Sequence, residues 1–254
     1  MQENTLNYSK AFNVKHRLNA LIGNTIQTNR YRGNQQYATN FATNALGYNN
    51  IGAASEFAPG SQSSNTTKWQ ISSFIGRLNY TFDDKYILTG TGRFDGNSKY
   101  GKNNKWGFFP SFAGAWRISS ERFMEDLSAL NDLKLRLSWG EMGNSNIDPY
   151  SSYTKLSPGI TVGPDGKPVN TIQNSDQIMG NPDLRWERQR QFNIGFDLTA
   201  FNNRLHFMFD AYKKKSKDLV LKTPLPITTG YSLVYSNVGE LQNKGLEISV
   251  GGVL

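Results

Sequence analysis

Hydrophobic and polar residues alternate with a period of two along several stretches of the chain. In the clearest stretch, 191–199, four large apolar residues alternate with polar or small ones. Three further stretches, 74–82, 132–139 and 204–210, repeat the pattern. Successive side chains of a β-strand point to opposite faces, so the alternation predicts strands with one apolar and one polar face.

The same reading predicts nine strands along the whole chain. They lie near residues 4–10, 16–27, 69–82, 85–95, 106–118, 132–142, 185–200, 204–217 and 244–254. Strands in globular proteins usually run about 5–6 residues, whereas a tilted strand that crosses a membrane needs about 9–11. The predicted lengths therefore favour the fold class all-β, as an antiparallel transmembrane β-barrel segment.

The predicted connections alternate in length, and most are either short or long. Short connections lie at 11–15, 83–84 and 201–203, and long ones near 28–68, 143–184 and 218–243, with an intermediate one at 96–105. Outer-membrane barrels combine short periplasmic turns with long external loops. The connection at 119–131 is longer than a tight turn, and its Ser119-Ser120-Glu121 start predicts a brief amphipathic helix with an N-cap.

The composition agrees with strands and turns. Among the 254 residues, aromatic residues make up 13%, and there are 24 Gly and no Cys. Hydrophobic residues reach only 37%, which excludes a helical membrane protein but leaves a β-barrel open, because only alternate residues of each strand face lipid. Aromatic residues gather near the predicted strand ends, as in interfacial girdles, although the core of a soluble β-sandwich would also collect them.

Several short motifs together resemble one family. They are Gly76–Tyr80 leading to Phe82–Tyr86, Arg93–Gly96, Trp106–Ser111, Ala115–Ile118, Leu133–Gly140, Gly180–Glu187, Asn237–Gly239 and Asn243–Glu247. In their order and spacing, these motifs resemble the late barrel of the SusC/RagA-type TonB-dependent transporters of Bacteroidota, from about residue 3 to 254.

The resemblance implies a barrel of about 22 strands, with an N-terminal plug, a SusD-like surface lipoprotein as partner, and TonB as the source of energy. We accordingly expect residues 1–254 to be part of a TonB-dependent receptor β-barrel domain, incomplete because the plug, the TonB box and the closing strands are absent. No export signal opens the chain, so export information is expected upstream, or Met1 is not the natural start.

Candidates for chemistry are few. The segment 93–98 could suggest a calcium loop, but it offers one carboxylate where such a loop gathers several. His16 and His206 are both expected on polar strand faces, far apart in sequence. The lysine-rich segment 213–217 could bind nucleic acid, but lies at the outer end of a predicted strand, where it can meet lipid phosphates or stay solvated. We predict no catalytic residues, no metal, no cofactor and no nucleic-acid partner.

Three aromatic residues are candidate contacts with substrate or partner. Tyr150 and Tyr153 lie in the long loop, and Trp186 follows it. Trp186 could stack on a sugar. The preferred interpretation of 180–187 is structural: Asn181-Pro182 forms a turn, and Leu184 with Trp186 re-enters the membrane belt.

The function expected from this reading is active import of a bulky nutrient, such as a glycan or an oligopeptide, across the cell outer membrane. The protein is not expected to be an enzyme, and outer-membrane lipid is an expected partner. Three alternatives remain: a passive porin or structural barrel, a soluble β-sandwich binding module, and an outer-membrane hydrolase, which would need a clustered nucleophile. The substrate itself cannot be read from the sequence.

Overall fold

A computed structural model describes residues 1–57, 62–127, 129–174 and 176–253. Within these residues the principal element is an antiparallel nine-stranded sheet. We number its strands β1 to β9 in chain order. They are β1 Gln2–Ala11, β2 His16–Gln36, β3 Gln62–Phe82, β4 Tyr86–Asn97, β5 Trp106–Arg117, β6 Leu130–Asn144, β7 Glu187–Ala200, β8 Leu205–Lys217 and β9 Glu240–Gly252.

Each strand lies beside its neighbours in sequence, so the sheet is an uninterrupted meander from β1 to β9. The nine predicted strands are therefore confirmed. The largest differences are in β2, which runs on to Gln36, and in β3, which already begins at Gln62. The residues added to these strands are mostly polar. Apolar alternation could not reveal them, since main-chain pairing alone is enough to extend a strand.

Three short connections and one of intermediate length lie at one end of the sheet. They cover 12–15, 83–85, 118–129 and 201–204, as the strand bounds show. Asp83 and Asp84 have φ values of 52° and 53°, the left-handed pair that a tight hairpin turn requires. At the other end lie the long connections 145–186 and 218–239 and the shorter connection 98–105, while residues 37–61 form a further long connection between β2 and β3. The connections therefore alternate in length as predicted, except that 98–105 is shorter than 118–129 at the opposite end.

The predicted helix at 119–131 is wrong. The chain forms two single 3₁₀ turns, Ile118–Ser120 and Arg122–Met124, and neither has a side-chain cap. Ser119 instead donates a hydrogen bond to Asp132 at 2.8 Å. Glu121 accepts hydrogen bonds from Tyr86 and Trp116, so polar side chains anchor this connection to the strand ends.

The two faces of the sheet differ in character. Register places apolar residues of neighbouring strands side by side: Phe196 lies opposite Leu135 on β6 and opposite Phe209 on β8. Much of this apolar face is bare, with Leu246 70% exposed and Ile248 64% exposed. The opposite face carries ion pairs. A sheet whose bare face is apolar and whose other face is charged matches the wall of a membrane barrel, with lipid outside and water inside.

Short strands occur inside the long connections. Leu156–Val162 pairs with Pro168–Asn174 as a hairpin. Leu233–Asn237 pairs with Val220–Pro224 and, in parallel, with Ile178–Met179, which joins two long connections to each other. Among the described residues, no helix has the length and apolar character needed to cross a membrane.

The chain divides into two compact units, residues 1–27 with 70–254, and residues 28–69. The smaller unit contains residues 28–36 of β2 and residues 62–69 of β3. It also contains the 3₁₀ segment Gly47–Ala53 and the paired strands Thr39–Phe41 and Ala54–Glu56.

Candidate functional site

The long-connection end of the larger unit contains a buried aromatic cluster. Its members are Tyr100, Phe109, Ile147, Leu184 and Trp186. The indole ring of Trp186 lies 4.7 Å from the ring of Tyr100 and 5.4 Å, edge to face, from that of Phe109, measured between centroids. Its N–H donates to the Lys105 carbonyl at 3.1 Å. Residues of two connections, 98–105 and 145–186, thus share one small core, and Val220 and Tyr235 of a third connection, 218–239, pack against it.

The motif 180–187 lies at the centre of this loop assembly. The Asn181 side chain donates to the Tyr235 carbonyl at 2.8 Å, and the Leu184 carbonyl accepts from the Gly101 amide at 3.1 Å. The position of Gly101 admits no side chain, because a Cβ there would overlap the carbonyl of Pro182. The motif therefore ties the 98–105 connection to the 218–239 connection.

A second group of hydrogen bonds between connections is centred on Asn237, which belongs to another of the family-like motifs. Its side-chain oxygen accepts from the Arg185 amide at 2.9 Å, while its nitrogen donates to the carbonyls of Arg185 and Asp218. The Arg185 guanidinium pairs with the Asp218 carboxylate at 2.8 Å. One asparagine thus closes the 218–239 connection against the start of β7, a role that its sequence motif alone did not reveal.

The three predicted contact residues do not form one surface. Trp186 is 6% exposed, and its ring and N–H are both engaged in the loop core. Tyr153 is 52% exposed, and Tyr150 is 40% exposed with a φ of 68°. The expectation that Leu184 and Trp186 re-enter the membrane belt is wrong, because both are buried among the loops. A role of Tyr150 or Tyr153 in binding stays a prediction.

The polar face of β6, β7 and β8 carries an ion-pair network. Arg136 contacts Asp197 at 2.8 Å and Asp210 at 2.9 Å, and Lys134 contacts Asp197 at 2.9 Å. Asn193 donates a hydrogen bond to Asp210 at 3.1 Å. The guanidinium reaches across β7 because Gly195 stands between: a Cβ there would overlap Asp210 and lie 2.9 Å from Arg136 Nη2. Alternation predicts a polar face, but only register shows these partners.

The segment considered as a calcium loop makes a different interaction. Arg93 Nε donates to both carboxylate oxygens of Asp95 at 2.8 Å, and its Nη2 donates to Ser73 at 3.0 Å. The Asp95 carboxylate is therefore already neutralised by a side chain. Within the parts of the chain that are described, no group of three or more His, Cys, Asp or Glu residues is placed to hold a metal.

The prediction for His16 is wrong. It lies beside aromatic residues of the apolar row, hydrogen-bonded through Nδ1 to the Tyr80 hydroxyl at 2.6 Å and 4.8 Å from the Phe82 ring centroid. The hydroxyl partner offsets the cost of placing an imidazole there. His206 is on the polar face as predicted, opposite Thr199, with 3.3 Å between Nδ1 and the hydroxyl.

Polar contacts also anchor the short-connection end. The Glu121 carboxylate accepts from the Tyr86 hydroxyl at 2.6 Å, from the Trp116 indole at 3.0 Å and from Lys85 at 3.2 Å. These hydrogen bonds, that from Tyr86 foremost, hold the pKa of Glu121 below its usual range. Tyr86 and Trp116 therefore have the arrangement of girdle residues, with apolar rings on the sheet and polar atoms directed to the connection.

Comparisons with known proteins agree with this architecture. Residues 2–253 match the family described as TonB dependent receptor-like, beta-barrel. TonB-dependent receptor P3 of Formosa agariphila is 39% identical over 98% of this chain and 24% of its own length. TonB-dependent receptor SusC of Bacteroides thetaiotaomicron is 35% identical over 74% of this chain and 19% of its own.

Solved structures show the same relationship. In the closed-closed state of the RagAB peptide importer, one chain superposes with a TM-score of 0.84 at 29% identity, over 99% of this chain and 27% of that one. The siderophore receptor PirA of Acinetobacter baumannii, at 14% identity and a TM-score of 0.58, shares the fold. The chain spans about a quarter of the length of the relatives it matches. It belongs to the TonB-dependent receptor β-barrel family, among the SusC/RagA-type members.

Proposed function

We propose that this chain forms part of the barrel wall of an outer-membrane transporter that imports a bulky nutrient with energy from TonB. The observation that supports this most is the division of the sheet between a bare apolar face and a charged face bearing the Arg136 network. A polar solute can pass along a charged, wetted wall, while lipid covers the other face. The mechanism consists of binding, plug displacement and passage, and no catalytic step is proposed.

The transporter that we propose contains further parts beyond this chain. Since the relatives are about four times longer, we propose that further strands and an N-terminal plug with a TonB box belong to the full-length protein. A SusD-like surface lipoprotein is the proposed partner, which would meet the long-connection end. The solved relative is named a peptide importer, which supports an oligopeptide cargo. An oligosaccharide, the other class that the family resemblance implies, is the second candidate cargo.

Uptake by cells tests the proposal. The full-length gene is deleted and restored, and uptake of fluorescent oligopeptide and oligosaccharide mixtures is measured with and without a functional TonB. We expect one class of cargo to enter only when both the gene and TonB are present. Uptake that needs the gene but not TonB would instead identify a passive porin. Uptake of both classes that is unaffected by deletion would reject import of such nutrients.

A further inference from the structure

On the outward face of β7, β8 and β9, a series of apolar rows ends in a row that contains two lysines. The register aligns five rows across these strands, and the row nearest the long connections contains Lys213 and Lys244. The rows are Ala200–Leu205–Gly252, Leu198–Phe207–Val250, Phe196–Phe209–Ile248, Ile194–Ala211–Leu246 and Phe192–Lys213–Lys244. Residues 192–200 span about 27 Å along the strand, and a strand tilt of about 35–45° reduces this to about 19–22 Å of height, within the apolar band of about 25 Å in membrane barrels. The two lysines stand at the outer end of this span, where long lysine side chains extend to the lipid headgroups.

The charges of these two lysines are not balanced by the protein. Lys213 and Lys244 are directly opposite each other and exposed, and neither forms an ion pair within the described ranges. Their neighbours differ, since Lys215 and Lys217 both lie beside Glu240, at 2.5 Å and 3.9 Å. Like charges placed opposite each other on adjacent strands destabilise a sheet. An anion between them would remove that repulsion.

An apolar groove begins at the same two lysines. It has a volume of about 490 Å³, and its lining includes Phe192, Ile194, Ala211, Leu246 and the two lysines. The small side chain of Ala211 leaves a trough between Ile194 and Leu246, which lie on either side of it in the same row. The groove thus combines an apolar floor with two cations at one end, which fits an amphiphilic anion.

We propose that Lys213, Lys244 and this groove form a binding site for a phosphate-bearing lipid of the outer leaflet. The lipid phosphate would lie between the two ammonium groups, and an acyl chain would lie along Ala211 towards Ile248. Charge complementarity and headgroup height favour a lipid over a protein partner. The inference rests on the proposed outer-membrane placement and not on transport, so it can fail while the proposed function holds.

The test uses the full-length protein in lipid nanodiscs. Nanodiscs of phosphatidylcholine containing a minor fraction of phosphatidic acid are prepared, and native mass spectrometry counts the phosphatidic acid molecules retained by the released protein. We expect the wild type to retain phosphatidic acid selectively. The double variant Lys213→Gln/Lys244→Gln should retain at least about tenfold less phosphatidic acid than the wild type, as expected for the loss of two lysines near an anionic surface.

Matched variants separate the site from general charge. Lys214→Gln/Lys222→Gln removes the same charge elsewhere and should retain lipid like the wild type. Ala211→Phe fills the trough while leaving both lysines, and should also reduce retention. Equal retention by the wild type and the Lys213/Lys244 variant overturns the proposal. The proposal is also overturned if inorganic phosphate displaces the lipid and the Ala211→Phe variant retains as much lipid as the wild type. The site would then bind free phosphate only.

Discussion

Phe196 occupies the middle of the five apolar rows and stacks with Phe207 and Phe209, its ring centroid 5.5 Å from each of theirs. Replacing it by Arg in the full-length protein places a charge near the centre of the bilayer. We expect Phe196→Arg to lower the free energy of unfolding by about 2–4 kcal/mol. Urea titrations of folding into lipid vesicles measure this change.

The matched control is Asn193→Arg on the other face of the same strand. Asn193 already contacts Asp210, and the wetted face accepts charge, so this variant should lose clearly less stability. Equal losses for the two variants would contradict the assignment of faces.

Gly195 shows how one small residue permits a network. Its absent side chain leaves room for Arg136 to reach Asp210, since a Cβ would lie 2.8 Å from the Phe209 carbonyl and overlap the carboxylate. We expect Gly195→Ala to cost about 1–3 kcal/mol, as overpacking does. The same unfolding titrations measure it.

Gly76 provides the control for that variant. A Cβ at Gly76 meets nothing within 4 Å, so Gly76→Ala should leave stability close to that of the wild type. If Gly195→Ala and Gly76→Ala change the free energy of unfolding equally, the ion-pair network does not require the open space at Gly195.

Among the connecting elements, the loop assembly depends on Trp186. Truncation to Ala removes the ring that packs on Tyr100 and Phe109, a loss on the order of 3–5 kcal/mol for large buried aromatic residues. Because the cluster belongs to the loops, we expect opening to be local. Hydrogen exchange should accelerate in 98–105, 145–186 and 218–239, while the strands stay protected.

Tyr153→Ala is the control, since this side chain is 52% exposed and should leave exchange unchanged. The pair also separates two roles for Trp186. If Trp186→Ala abolished ligand binding with unchanged hydrogen exchange, the residue would contact ligand directly and its structural role would be wrong.

For the whole molecule, the meander determines sidedness. Each strand runs from one end of the sheet to the other, and the next strand returns beside it. Every second connection therefore lies at the same end. We expect 12–15, 83–85, 118–129 and 201–204 to face the periplasm and the long connections to face outside. Single cysteines at Ser157 and Thr229 should react on intact cells with a membrane-impermeant thiol reagent, and one at Asn202 should not.

The chain contains no native Cys, so labelling from this segment has no background. Ser61, in the first long connection, would extend the test but lies outside the described residues. Labelling is repeated without the surface lipoprotein, so that a covering partner cannot hide a site. Reaction at Asn202 on intact cells, with Ser157 reactive only after lysis, would reverse the predicted topology.

The sequence by itself determined where the strands lie and which face of each is apolar. Both are local properties: a strand such as 187–200 shows its faces in alternate residues, and a turn such as Asp83-Asp84 shows its backbone in residue type. The sequence also carried the family resemblance, because its motifs keep their order. It could not show that β2 reaches Gln36, since pairing of polar strand ends leaves no hydrophobic pattern.

Tertiary structure alone decided which distant residues meet. Arg136 reaches Asp197 and Asp210 because register sets three strands side by side, and register is a property of pairs of strands. Trp186 is read from sequence as a membrane-belt residue, yet burial depends on what packs above it, here Tyr100 from another connection. The lysine pair 213 and 244 likewise exists only through pairing of β8 with β9.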